Sequence, residues 1–193
     1  MRYTVRTVSW SKERGENLSA MKSEIPELEV FTDSIGDGYG IFFEICRAIN
    51  ETGGVVLEDD VKLCKNFKSR LESIVGEKGR NEVISFFERP KKKLQTAYVG
   101  GSNFLWMQCI YLPPLLPKKI IAYHDEFKTN RPDQWTGMAT DMLIAYTLVQ
   151  EKIKYWRIRP TLVQHLPFDS VIGSRPRNRQ THYFIDDIEG VGA

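Results

Sequence analysis

The chain is expected to be an α/β protein whose mostly parallel central sheet is flanked by helices, and three observations predict this. The first 60 residues read strand, helix, strand, helix, strand, the order that builds a parallel α/β sheet. The third of those strands, Val55-Val56-Leu57, is apolar without interruption, as a buried strand requires. It ends on three adjacent acids, Glu58-Asp59-Asp60, and ligands of open α/β sheets gather beyond the carboxyl ends of the strands. Three neighbouring carboxylates repel one another, so a cation is expected beside them.

The elements follow in order. Residues 3–9 alternate around Val5 and Val8 and form a strand, and a short helix is expected over residues 16–23. Pro26 blocks its continuation, and LEVFT at 28–32 is the second strand. The turn GDGYG at 36–40 opens a helix over 41–51, with Phe42, Ile45, Cys46 and Ile49 on one face. Gly53-Gly54 stops that helix before the third strand. Beyond the acids come a helix over 67–75, a strand over 82–88, a basic turn over 89–93, and a strand over 96–109. Gly100-Gly101 interrupt this last strand, a place where backbone approaches a ligand closely. Pro113-Pro114 open a helix to about residue 127, in which Leu116, Ile120 and Tyr123 share a face. A polar loop over 128–134 leads to a helix over 137–151, where Met138, Met142, Ala145 and Val149 face one way. A strand over 155–158 follows. There is no internal repeat or low-complexity linker, so residues 1–193 are expected to be one compact domain.

Composition narrows the class. The 27 basic and 25 acidic residues leave a net charge of +2, too little to argue for nucleic acid by itself. Three scattered cysteines, Cys46, Cys64 and Cys109, form no CxxC pair, which fits free thiols in a reducing compartment. The opening MRYTVRTVSWSKERGEN holds no apolar run of signal-peptide length, and no later run approaches ~18 apolar residues. A cytoplasmic protein without membrane insertion is expected.

Strand-end carboxylates spaced by one or two residues make an oxygen-rich site that suits Mg2+ or Mn2+ shared with phosphate oxygens; an exposed acidic turn is the plainer alternative. His165, after the apolar TLV, is a second candidate ligand, although a lone histidine is more often structural. Ser170, Gly173 and Ser174 beside Arg175, Arg177 and Arg179 form a phosphate-binding pattern or, alternatively, a solvated basic tail. Asp141 begins a helix, where it favours the dipole or serves as a general base.

LEDDV at residues 57–61 resembles the metal-binding DxD-type motif of GT-A-fold glycosyltransferases. More narrowly, the chain is similar to the family 25 group, the lipopolysaccharide galactosyltransferase-like enzymes. PTLVQH at 160–165 followed by DSVIG at 169–173 matches that group's second motif, in order and about a hundred residues after the first. The resemblance implies a GT-A-like (nucleotide-diphospho-sugar transferase) fold and a transfer from a nucleotide-diphosphate sugar, with uridine diphosphate as carrier. It implies that Asp60, helped by Glu58, holds Mn2+ or Mg2+ on the diphosphate, that His165 completes the metal site, and that Asp141 is the candidate base deprotonating an acceptor hydroxyl if the enzyme inverts at the sugar. Ser9, Trp10, Arg14, Thr32, Asp33, Asp59, Ser170, Gly173 and Arg175 would then contact the nucleotide sugar, and Gly100, Gly101, Ser102 and Asn103 the acceptor. Residues 1–60 become the nucleotide-binding half, 61–175 the acceptor and metal-completing half, and 176–193 a basic-then-acidic tail. The chain departs from the group where TVSWSKER replaces an asparagine-leucine opening with paired arginines.

The acceptor is a glycan, a protein or a nucleic-acid base; the basic runs at 89–93 and 175–179 would suit a phage-type enzyme acting on hydroxymethylated DNA. Two other classes compete. A metal-dependent phosphotransfer or nuclease enzyme would draw on Asp33, Asp37 and Asp141 as further acids. A nucleic-acid-binding protein would stack bases on Tyr98, Trp106 and Tyr111.

Overall fold

The computed structural model describes residues 1–88, 95–104, 107–130, 139–168, 181 and 183–186. The expected opening pattern is present: β1 (Arg2–Val8), α1 (Lys12–Glu24), β2 (Glu29–Asp33), α2 (Gly38–Ile49) and β3 (Gly54–Glu58). The chain continues through β4 (Val61–Leu63), α3 (Phe67–Lys78), β5 (Val83–Ser85), β6 (Ala97–Gly100), a 3-10 turn (Gly101–Asn103), β7 (Cys109–Leu112), α4 (Leu116–Asn130), α5 (Thr140–Gln150), β8 (Lys154–Arg157) and β9 (Val163–His165).

Seven strands form one sheet in the order β2-β1-β3-β7-β5-β8-β6. β1 pairs parallel with β2 and β3, and β5 with β8, while β7 and β6 run against their neighbours. Five of the seven strands therefore point the same way, and their carboxyl ends share one edge. β4 and β9 form a separate antiparallel pair over that edge.

Helices cover both faces, and the strand period of two assigns side chains to each. On one face Tyr3, Val5, Val55 and Leu57 pack with Met21 of α1 and Phe67, Leu71 and Val75 of α3. On the other, Val56, Ile110 and Leu112 pack with Phe42, Ile45 and Ile49 of α2, Ile120 of α4, and Leu143, Ile144 and Leu148 of α5. The expected α2 stripe is thus the buried one, each such side chain contributing roughly 1.5–3 kcal/mol. Asp37 caps the helix by accepting from the Gly40 amide at 2.9 Å.

Three expectations are corrected. Residues 96–109 are not one interrupted strand: β6 lies at the outer edge of the sheet and β7 near its centre. On α5, Met142 and Val149 are exposed, because the competing stripe Leu143, Ile144, Thr147 and Leu148 meets the core. Tyr111 is buried, its hydroxyl donating to the Arg80 carbonyl at 2.9 Å, so it offers no face to a base. The basic runs at 89–93 and 175–179, the proposed loop at 131–134 and Trp106 lie outside the described residues.

Candidate active site at the carboxyl edge of the sheet

The alternation that buries Val55 and Leu57 on one face and Val56 on the other also divides the three acids. Glu58 falls on the α2 face. It sits opposite Arg6 in the parallel register of β1 and β3, and Arg6 Nε and Nη2 donate to its carboxylate at 2.9–3.2 Å. Arg6 Nη1 also donates to the Gly38 carbonyl at 3.1 Å, tying β1 to the start of α2. Asp59 falls on the α1 face, buried, where it accepts from Thr7 Oγ1 at 2.7 Å, from the Val8 amide at 3.3 Å, and from the Arg14 guanidinium. Asp60 is at the rim. Its Oδ2 lies 3.5 Å from Arg14 Nη2 and 3.4 Å from His165 Nε2.

Local structure explains each placement. Ser11 caps α1 by accepting from the Arg14 amide, so the helix begins at Lys12, earlier than its pattern suggests. That early start places Arg14 in the first turn, aimed at Asp59 and Asp60. Asn17, one turn later, donates to the carbonyls of Asp59 at 2.7 Å and Val61 at 2.9 Å and fixes the backbone of the acidic segment. The β4–β9 pair matches Val61 with His165, and the Leu166 amide donates to the Asp60 carbonyl at 2.7 Å. Two motifs a hundred residues apart thereby meet.

The electrostatics are those of a charged cluster held out of water. Burial pushes the Glu58 carboxyl up to about 7, against the pull of Arg6 and with help from Asp60 and Asp59. Burial also raises Asp59, with Arg14 and Thr7 opposing. For Arg6, burial disfavours the charge, but the three carboxylates outweigh it and its pKa rises. The sign for Glu58 follows from linkage. Between its ordinary value of 4.5 and about 7, the folded state keeps a proton that the unfolded chain has released. Stability is expected to fall by about 3 kcal/mol as pH rises through that window, at ~1.4 kcal/mol per pKa unit. Denaturant unfolding at pH 5, 6, 7 and 8 checks this; Glu58→Gln should flatten the slope, and an unchanged slope would assign it to another group.

A cavity of about 80 Å³ opens at the same edge, lined among others by Arg6, Thr7, Trp10, Arg14, Asp33 and Glu58. Trp10 is 53% exposed there. Ser9 is exposed, its amide donating to the Asp33 carbonyl at 3.1 Å, and Thr32 is exposed on β2. Asp33 is buried, and its Oδ1 accepts from the amides of Ile35, Gly36 and Asp37 at 2.7–3.1 Å. That oxygen shapes the turn before α2, with Gly36 at φ 82°. Asp141 is half-buried at the start of α5, which begins at the same edge and runs down to the start of β8. Its Oδ1 accepts from the Met142 amide at 2.8 Å.

The glycine segment expected at the acceptor lies elsewhere. Gly100 pairs with Lys154, the first residue of β8, so Gly100, Gly101, Ser102 and Asn103 sit at the amino edge of the parallel strands, opposite the acids. Gly101 is a glycine because a Cβ there would meet Leu148 Cβ at 2.4 Å; the close approach is to α5 rather than to a ligand. Ser170, Gly173 and Arg175 lie outside the described residues. Sequence reasoning missed Arg6, Thr7 and Asn17. Arg6 carried a signal, a guanidinium among the otherwise uncharged residues Tyr3–Val8 of β1, beside an acidic strand end.

As to a metal, Asp60 and His165 present an oxygen and an imidazole nitrogen side by side, donor types that suit Mn2+ or Mg2+. Glu58 is turned onto Arg6 instead. Among the described residues no group of three or more His, Cys, Asp and Glu side chains is gathered to hold a metal by itself. The pair fits a cation that takes its other ligands from a bound diphosphate.

No family model matches the chain. No curated protein matches it either. Solved structures do. The chain is similar to a glycosyltransferase involved in the glycosylation of the major capsid of PBCV-1, with TM-score 0.50 and 13% identity over 88% of this chain and 95% of that one. It is equally similar to A197 from STIV, with TM-score 0.50 and 12% identity over 88% and 87%. No helix among the described residues is long and apolar enough to cross a membrane. The narrower likeness to the family 25 group rests on the two sequence motifs alone, whereas the fold, a mixed α/β arrangement around a seven-stranded and mostly parallel sheet, is one that a glycosyltransferase shares.

Proposed function

We propose that the protein is a metal-dependent glycosyltransferase that moves a sugar from a nucleotide-diphosphate sugar, with uridine diphosphate as carrier, to an acceptor hydroxyl. One observation carries the reading: on a fold shared with a glycosyltransferase, Asp60 and His165 meet at 3.4 Å beside a cavity lined by Trp10 and Arg14. Trp10 would stack on the nucleobase. Thr32 and Ser9 would border the ribose, and Asp33 would hold the turn above it. Asp60 and His165 would hold the cation, which when bound neutralises charge on the departing diphosphate. Arg14, buried against Asp59 and 3.5 Å from Asp60, would add a second positive charge near the same oxygens.

In the transfer, Asp141 takes the proton of the acceptor hydroxyl as that oxygen bonds to the anomeric carbon. The bond from that carbon to the phosphate oxygen breaks, and the nucleoside diphosphate leaves with the electron pair. Glu58 and Arg6 would line the floor under the sugar.

Thermal unfolding with uridine diphosphate, with Mn2+, and with both tests the reading. At a hundredfold excess over the dissociation constant, binding to the native state adds about 2.7 kcal/mol. The expected shift needs both ligands and is lost in Asp60→Ala. No shift with any nucleotide, together with a clear shift from DNA or RNA alone, would favour a nucleic-acid-binding protein instead.

A further inference from the structure

A second cavity, of about 390 Å³, lies between α3 and the segment that joins β8 to β9, and it shares no described lining residue with the cavity beside Trp10. Its size falls within the ~300–1,000 Å³ of small-molecule sites. Ile74 of α3, Ile158, Leu162 and Ile185 give it an aliphatic lining. Ser69 and Ser73, four residues apart and so on one face of α3, are exposed beside it. Arg159 and Arg70 also line it. Backbone pairing fixes the wall opposite α3. The Ile158 amide donates to the Ser85 carbonyl at 3.0 Å, the Leu162 amide to the Phe86 carbonyl at 3.1 Å, and the Ile185 amide to the Thr161 carbonyl at 3.1 Å.

Charge at this wall is unevenly balanced. Two guanidiniums share one carboxylate: Arg157 Nη1 donates to Glu88 Oε1 at 2.8 Å, and Arg159 Nη2 donates to Glu88 Oε2 at 3.1 Å. The Arg159 side chain is only 4% exposed. The Nε–H groups of both arginines are buried and have no acceptor. Burial lowers the Arg159 pKa from its ordinary value, with Glu88 opposing and Arg157 adding to the fall. Asp186, next to Ile185, accepts from the Lys65 amide at 3.1 Å, just before α3. None of the described residues that line the cavity is acidic.

We propose that this cavity binds an aliphatic carboxylate, its chain against Ile74, Ile158, Leu162 and Ile185 and its head toward Arg159 and the Ser69 and Ser73 hydroxyls. The site stands apart from the glycosyltransferase reading and holds whether or not that reading does. A single negative charge matches the one positive charge that Glu88 leaves uncompensated on Arg157 and Arg159. Guanidiniums meet carboxylates through charge-assisted hydrogen bonds, and serine hydroxyls can donate to the remaining lone pairs. The chain supplies the apolar surface that four aliphatic side chains are placed to cover. A neutral alcohol of the same length would leave the extra positive charge unanswered. A short carboxylate would leave the aliphatic wall uncovered.

The test is a saturation-transfer NMR titration of the full chain, without nucleotide or metal, using octanoate, 1-octanol and acetate as probes. Octanoate is expected to bind about fivefold or more tightly than either of the others, a difference of about 1 kcal/mol. Arg159→Gln should weaken octanoate by a similar factor and leave 1-octanol unchanged. Ser73 is exposed on α3, so Ser73→Glu and Ser73→Lys change the charge beside the cavity without disturbing the core. Octanoate should weaken about threefold or more in Ser73→Glu and hold or tighten in Ser73→Lys, as like and opposite charges require. This pair decides the matter even if Arg159→Gln fails to fold, which circular dichroism on each variant would reveal. Equal binding of 1-octanol and octanoate would overturn the proposal, because the head would not be read. Equal binding of acetate would overturn it too, because the chain would find no wall. So would equal octanoate affinity in Ser73→Glu and Ser73→Lys, or no octanoate binding up to roughly 10 mM, a range that captures weak sites.

Discussion

Arg14→Met is expected to lower the unfolding free energy by about 3–5 kcal/mol, the cost of leaving one partner of a buried ion pair uncompensated. The Arg14 and Asp59 side chains are only 5% and 2% exposed, so water cannot replace the lost guanidinium. Asp59 would keep the Thr7 hydroxyl and the Val8 amide, two neutral donors, against a full charge. Methionine keeps the apolar stem of the side chain and loses the guanidinium, so the loss reads mainly the missing charge. For a chain of this size the melting point should fall by roughly 10 °C. Adding Asp59→Asn removes the stranded charge and should recover part of the loss, because exchanging both members of a buried pair costs far less than removing one. A drop below ~1 kcal/mol for the single variant would show that Asp59 does not rely on Arg14.

The same pair marks how far the sequence could be read. The opening β1-α1-β2-α2-β3 order was legible because each element carries a strong local period: the α2 stripe of Phe42, Ile45 and Ile49, the apolar Val55–Leu57 run, and glycine or proline at the boundaries. The carboxyl-edge rule then placed the acids correctly at a cleft. What was not legible depends on long-range pairing. β4 and β9 are three residues each, too short for any period, yet their register is what brings His165 to Asp60. β6 and β7 are adjacent in sequence and far apart in the sheet, a separation with no local signature. On α5 two stripes of similar apolarity compete, and only the facing surface of β7 and α4 selects Leu143 and Leu148 over Met142 and Val149. The cation sought beside the acids was also partly internal. Arg6 and Arg14 answer Glu58 and Asp59, and Asp60 lies between Arg14 and His165.

Asp141→Asn is expected to reduce the transfer rate by about 10²–10⁴-fold, the range that a positioned general base contributes, while leaving the nucleotide-induced thermal shift intact. The substitution is nearly isosteric. Asparagine keeps an oxygen to accept from the Met142 amide, so the start of α5 should hold its shape. Loss of the negative charge near the helix N-terminus costs about 0.3–1 kcal/mol, too little to unfold the chain. The amide cannot take a proton from the acceptor, and this is the property that the variant isolates. Single-turnover transfer, measured beside uridine diphosphate binding, separates the two effects. If transfer falls and binding stays, Asp141 is the group that takes the proton. If transfer persists, the base is another carboxylate. Glu58 is then the next to test, because burial raises its pKa to about 7, within the range where a base works best at neutral pH, although Arg6 already occupies it.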